Sequence, residues 1–354
     1  MQTSRDWMCS SPAEAGFSND LDDRFEIARQ AGLLANVHGV VAVRAGKIFL
    51  ERYLAGTDNA RGRPLGVLRF GPDTLHDLRS VSKSIVGVLY GIALASGKVP
   101  PPEAKLMQQF PEYPDLVADP ERQKLTMRHV LTMSLGTDWD ELTIPYTDPR
   151  NSEIAMDRAA DRYRYILERP VVGTPGERWT YNGSATALLA RLIARGTGGA
   201  LHDYAKQALF EPLGLGPTEW GRDARGEEFA ASGLRMAPRD LARIGVMLLA
   251  NGEWEARQVV PANWLQASFA SAVSMPDGRG YGYHWYLGAN AMADGGGVRW
   301  EETISAVGNG GQRLYLLPRL GLAVAMTAGN YDAPDQWRAP VTVLRDVLLP
   351  ALQS

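Results

Sequence analysis

The feature that most restricts the fold is a pair of hairpin patterns near opposite ends of the chain. In HGVVAVRAGKIFLERYL (38–54) a turn at Gly46 separates two runs rich in β-branched and aromatic residues. In QRLYLLPRLGLAVAMTAGN (312–330) two apolar runs flank Pro318 to Gly321. Such runs read as antiparallel strand pairs. Hairpins in place of strand-helix-strand alternation argue for an antiparallel sheet with helices packed on it. LDDRFEIARQAGLLANV (21–37) supplies one helical pattern, and the amphipathic tail QWRAPVTVLRDVLLPALQ (336–353) suits a terminal helix covering one sheet face.

Between the hairpins the character changes to helices and long loops, as in LTMRHVLTMSLG (125–136), SATALLARLIARGTG (184–198) and APRDLARIGVMLLANGEW (237–254). The proline-rich link VPPPEA (99–104) marks a boundary. The expectation is an α+β protein in which residues 1–100 and 276–354 form a sheet domain flanked by helices and 101–275 form a mainly helical domain. A length of 354 residues agrees with about two structural units.

Composition closes off several classes of function. Hydrophobic residues at 45% and charged residues at 22% are ordinary for a globular protein. A net charge of -3 without a basic run gives no track for a phosphate backbone, so no nucleic-acid partner is expected. Cys9 is the only cysteine, which excludes an intrachain disulfide. IVGVLYGIALA (85–95) is too short to span a bilayer. No membrane association is expected, and the N-terminal stretch lacks the apolar core of a signal peptide, so a cytoplasmic location is expected. The histidines at 38, 76, 129, 202 and 284 show no paired ligand spacing, so neither metal nor cofactor is expected. There is no G-x-S-x-G elbow, and SGKV (96–99) lacks the rest of a phosphate-binding loop. The oligomeric state is left open.

The stretch LRSVSKSI (78–85) sets three serines around one lysine. Residues three or four apart share a helix face, so only Ser80 is placed to use Lys83; Ser82 and Ser84 are adjacent to it. A helix start favours developing negative charge, and a buried lysine is pushed toward the neutral amine that accepts a proton. S-x-x-K alone leaves a second reading open, with Ser80 as a cap and Lys83 reaching to water. Two further patches bear on it. PGERWTYNGSATALLA (175–190) sets Tyr181 before a helix, where a lysine would make it a proton shuttle. VGNGGQRLYLLP (307–318) opens a strand with glycines that let a backbone N–H approach a ligand. The rings of Tyr283 and Trp285 in YGYHWYLG (281–288) are candidates for lining a substrate pocket.

Taken in order, these patches resemble the serine β-lactamase and penicillin-binding-protein superfamily, in its class C-like branch of esterases, D-alanyl peptidases and 6-aminohexanoate-dimer hydrolases. The resemblance implies that Ser80 is the acylated nucleophile, Lys83 its proton partner and Tyr181 the tyrosine of a Y-x-N motif. It implies an oxyanion hole from the N–H groups of Ser80 and Gly311, and an antiparallel sheet flanked by helices beside a helical domain. Two motifs depart from the family pattern. Y-x-N reads Tyr181-Asn182-Gly183, with Asn182 one position early, and K-T-G or H-x-G reads Gly308-Asn309-Gly310. Asn182 and Asn309 become the substrate-binding candidates, and the cation that would pair with a β-lactam carboxylate is missing. The resemblance thus implies a cofactor-free serine hydrolase acting through an acyl-enzyme on a small ester or amide. The altered motifs keep two alternatives open, a non-catalytic binding or sensing protein and weak β-lactamase or D-alanyl carboxypeptidase activity.

Overall fold

The computed structural model describes residues 7–294 and 297–353. In chain order the strands used below are β1 (Val37–Arg44), β2 (Lys47–Tyr53), β3 (Ala55–Ala60), β4 (Arg63–Arg69), β5 (His76–Asp77), β6 (Glu219–Trp220), β7 (Leu234–Met236), β8 (Val273–Ser274), β9 (Gly280–Tyr281), β10 (Tyr286–Asp294), β11 (Gly297–Gly308), β12 (Gln312–Leu317) and β13 (Leu322–Ala328). The helices that matter are α1 (Leu21–Gln30), α2 (Val81–Ala95), α3 (Gly183–Thr197) and α4 (Pro238–Leu249).

One eight-stranded antiparallel sheet runs in the order β8-β9-β10-β11-β12-β13-β1-β2. Both expected hairpins are present, and they meet in the sheet: β1 pairs with β13, setting Val41 opposite Ala325. Side chains alternate across a strand, so Val41 and Val43 enter one core while Val40 and Ala42 enter the other. This two-faced burial explains why VHGVVAVR reads as a continuous apolar run.

Each face is covered by helix. Phe17 and Phe25 at the α1 end and Val343, Val347 and Leu348 of the terminal helical segment pack over Leu50 and Val324. On the other face α4 lies over β13, β1 and β12, while α2 packs against β11 and beside α3. The helix expected near 125–136 is shorter, Met127–Leu131, because the chain turns away through left-handed backbone at Met133 (φ 52). Two smaller sheets, the β3–β4 hairpin and β5-β7-β6, stand beside the cleft described below. Among the described residues no helix is long and apolar enough to cross a membrane.

The α2 packing is tight enough to predict a cost. A Cβ on Gly91 would lie 2.1 Å from the Trp264 ring, whose Nε1 donates to Gly87 O at 3.1 Å. Alanine favours the helix by about 1 kcal/mol, but overpacking a filled core costs about 1–3 kcal/mol. Gly91→Ala is therefore expected to lower the denaturation midpoint, and a raised midpoint would show that the Trp264 contact is loose.

Candidate active site

Ser80 stands at the turn where β5 gives way to α2, just after Arg79 in left-handed backbone (φ 49). Its hydroxyl makes no capping bond to the helix. One turn on, Lys83 Nζ donates to Ser80 Oγ at 3.1 Å and to Ala231 O at 3.1 Å. The neighbouring serines are spent on structure. Ser82 Oγ donates to Arg79 O at 2.6 Å and accepts from Leu234 N at 3.2 Å, and Ser84 Oγ donates to His284 O at 2.6 Å. Tyr181 is buried beside this pair, its ring centre 4.8 Å from Lys83 Nζ. Burial pushes the Tyr181 hydroxyl pKa up, with the Lys83 ammonium pulling the other way.

The charge on Lys83 corrects the sequence expectation. Burial alone would lower its pKa, but electrostatic coupling to the Tyr181 hydroxyl and to the Glu153 and Glu141 carboxyls outweighs burial and raises it. Lys83 therefore rests as an ammonium, with Glu141 Oε1 3.8 Å away. Glu141 is held from several sides. Its Oε2 accepts from Gly183 N at 2.6 Å and Trp139 Nε1 at 2.9 Å, and its Oε1 accepts from Tyr146 OH at 3.0 Å.

The departure in the Y-x-N motif is what admits these carboxyls. A Cβ on Gly183 would lie 3.1 Å from Glu141 Oε2 and 3.1 Å from Glu153 Cδ, so an asparagine there would require both carboxyls to give way. Burial, then the adjacent Glu153, raises the Glu141 pKa to about 8, with Lys83 offsetting only part of this. The ordinary value is 4.5, so between roughly pH 5 and 8 the folded state binds more protons than the unfolded state. Stability is therefore expected to fall as pH rises through that window, by a few kcal/mol in order of magnitude. Glu141→Gln is expected to flatten the fall in denaturant titrations run at pH 5 to 8, and an unchanged slope would reject the assignment.

The remaining site expectations divide. Asn309 lines the cleft beside Ser80, its amide donating to Asp332 Oδ1 at 2.6 Å and its Oδ1 accepting from Asp332 N at 2.8 Å. The turn carrying it lies against the segment leading to Ser80, because a Cβ on Gly308 would come 2.4 Å from Leu78 O. Gly311 follows on the same turn in left-handed backbone (φ 100), where a Cβ would point at Ala328 and Pro340. The Gly310 N–H is taken by Gln336 Oε1 at 2.5 Å.

Asn182 is reassigned, because its Oδ1 caps α3 by accepting from Ser184 N at 2.9 Å and Ala185 N at 3.4 Å. Tyr283 and Trp285 are corrected for a shared reason: large rings near the cleft were recruited by the core. Tyr283 packs against Trp264 and accepts from Arg128 Nη1 at 2.6 Å, while Trp285 is 0% exposed with its ring edge-on to Phe269.

The cleft has a volume of about 300 Å³. Beside Ser80 and Tyr146 it carries guanidinium groups of Arg61 and Arg79 and carboxyls of Glu153 and Asp157. These charged walls escaped the sequence reading. The stretch LTMSLGTDWDE, which contains Glu141, was the one available signal for the acids.

Comparison with known proteins agrees with this geometry. The family model described as Beta-lactamase matches residues 30–343. A 6-aminohexanoate-dimer hydrolase from Paenarthrobacter ureafaciens is 26% identical over 323 residues, 83% of this chain and 73% of that protein. A lovastatin esterase from Penicillium rubens is 26% identical over 141 residues, 38% of this chain and 33% of that one. The solved structure of a class C beta-lactamase superposes with a TM-score of 0.65 at 17% identity, covering 94% of this chain and 97% of the other. With a match that spans both hairpins and everything between them, the chain belongs to the beta-lactamase family.

Proposed function

We propose that the protein is a serine hydrolase that forms an acyl-enzyme on Ser80. The observation that carries this reading is that, of three serines around one lysine, only Ser80 leaves its hydroxyl unspent and 3.1 Å from Lys83 Nζ. As Ser80 Oγ attacks a carbonyl carbon, its proton passes to the Lys83–Tyr181 pair. Backbone N–H groups of Ser80 and of the turn at Asn309 receive the developing oxyanion. The pair then gives the proton to the leaving amine or alcohol, and water hydrolyses the acyl group. Because Lys83 rests charged, the pair must first lose a proton, so acylation speeds up toward alkaline pH.

The substrate we infer is a short, linear amide with charged groups near its ends. A cleft that sets Arg61 and Arg79 against Glu153 and Asp157 offers partners for both signs of charge, and the relative from Paenarthrobacter ureafaciens is named for such a compound. The lovastatin esterase supports a second reading, in which the bond cleaved is a small ester. Efficient β-lactam turnover is not expected, since Gly308 stands where the family carries a cation.

The test is intact-protein mass spectrometry after exposure to a fluorophosphonate, 6-aminohexanoate dimer, p-nitrophenyl esters and a penicillin. A covalent adduct mapped to the Ser80 peptide is expected, with turnover of the dimer or the esters. Ligand-induced stabilisation without adduct or turnover would overturn the proposal in favour of a binding protein.

A further inference from the structure

Behind the segment that leads to Ser80, strands from three separate sheets bring His38 of β1, Asp58 of β3 and His76 of β5 together. One ligand atom from each lies within 4.8 Å of the other two. All three are withdrawn from solvent, at 0%, 2% and 0% exposure respectively.

The hydrogen bonds fix which ring nitrogens carry protons. His76 Nδ1 faces the Asp77 carbonyl at 3.0 Å, an atom that can only accept, so Nδ1 holds the proton and Nε2 a lone pair. His38 Nε2 faces Asn36 Oδ1 at 3.0 Å. That amide cannot be turned round, because Asn36 Nδ2 donates to Thr57 O at 3.0 Å while Oδ1 accepts from Thr57 N at 2.9 Å. His38 therefore donates through Nε2 and leaves its lone pair on Nδ1. The two bare nitrogens face each other at 2.8 Å.

Asp58 makes the same demand independently. Its Oδ1 accepts from Tyr331 OH at 2.9 Å and lies 3.6 Å from His76 Nε2, while its Oδ2 is buried with no hydrogen-bond partner. Opposed lone pairs and an orphaned carboxylate oxygen both call for a cation. A single proton shared between the rings would still leave Asp58 Oδ2 without a partner. Neutral imidazoles with a carboxylate are the donors that zinc and its first-row neighbours take.

We propose that His38 Nδ1, His76 Nε2 and Asp58 form a structural site for a divalent transition-metal ion, with zinc the best match to the donor set. The outer N–H of each histidine is held by an oxygen acceptor, the support that metal-bound imidazoles use to fix ring orientation. Phe70 stacks on His38 at 4.0 Å and the Tyr331 ring is stacked with His76 at 6.3 Å, and the fourth tetrahedral position falls to a water or the second Asp58 oxygen. Zn–N bonds of about 2.0–2.1 Å in a tetrahedral site separate two nitrogens by roughly 3.3 Å, so the rings part by about half an ångström on binding. The ion would tie three sheets together behind the floor of the cleft without touching the reacting atoms. Ligands at 38, 58 and 76 form no short motif, which is why the sequence reading expected no metal.

The experiment strips the full-length protein with chelator and dialyses it against micromolar Zn2+ or Co2+. About one equivalent of retained metal, a raised melting temperature, and visible ligand-field bands for the Co2+ form are expected. Asp58→Asn and His76→Gln are each expected to weaken affinity at least tenfold. Should either variant fail to fold, zinc-edge X-ray absorption of the wild type decides, with scattering from two imidazoles expected. No retained metal, zinc without imidazole scattering as for an adventitious ion, or unchanged affinity in folded Asp58→Asn would overturn the site.

Discussion

Replacing Ser80 by alanine is expected to cut turnover of any ester or amide the protein accepts by at least about 10³-fold, and to abolish fluorophosphonate labelling. Rescue by a neighbour is closed off by the geometry. Ser82 Oγ is committed to Arg79 O and the Leu234 amide, and Ser84 Oγ to His284 O. Stability should change little, because the Ser80 hydroxyl caps nothing and the residue is only half-buried. An unchanged melting curve with lost labelling separates chemistry from folding. Labelling of Ser80→Ala at the wild-type rate would sink the acyl-enzyme proposal.

The second large effect belongs to Lys83. Lys83→Met keeps the length of the stem and removes the ammonium, so both proton transfers lose their partner. A loss of about 10²–10⁴-fold in kcat is expected, the usual range for general acid–base groups. Lys83→Arg should be no better, because a guanidinium does not give up its proton near neutral pH. The pH profile adds a second readout: the wild type should gain rate as pH rises, and Lys83→Met should lose that limb. A methionine variant within tenfold of wild type would remove Lys83 from the chemistry.

How much of this was legible in the sequence depended on how local each cause was. The β1–β2 and β12–β13 hairpins were readable because strand periodicity and turn residues lie within a few positions of each other. The β3–β4 hairpin was not, because AGTDNA and RPLGVLR are largely solvent-facing and show no apolar alternation. Ser80 and Lys83 were readable for the local reason that one helical turn joins them. The charge on Lys83 was not readable, since it depends on Glu141 from a distant loop and Glu153 from the helix after it, both beside Gly183. Asn182 was misread although its signal was local: asparagine ahead of Gly-Ser-Ala is a helix-capping pattern. Tyr283 and Trp285 show the opposite limit, since an aromatic residue near a cleft fits a core and a pocket equally well until packing decides.

The pairing of β1 with β13 has a consequence for how the protein is made. On the ribosome β1 emerges early, but its inner neighbour in the sheet does not exist until residues 322–328 have been translated. Until then Val40 to Val43, buried on both faces of the finished sheet, have only the β2 hairpin to shield them. Synthesis at about 5–20 residues per second makes that an interval of many seconds with an apolar strand edge open to other chains. Nascent-chain aggregation and chaperone demand should therefore be set by the last hairpin to be translated, well away from the serine that does the chemistry.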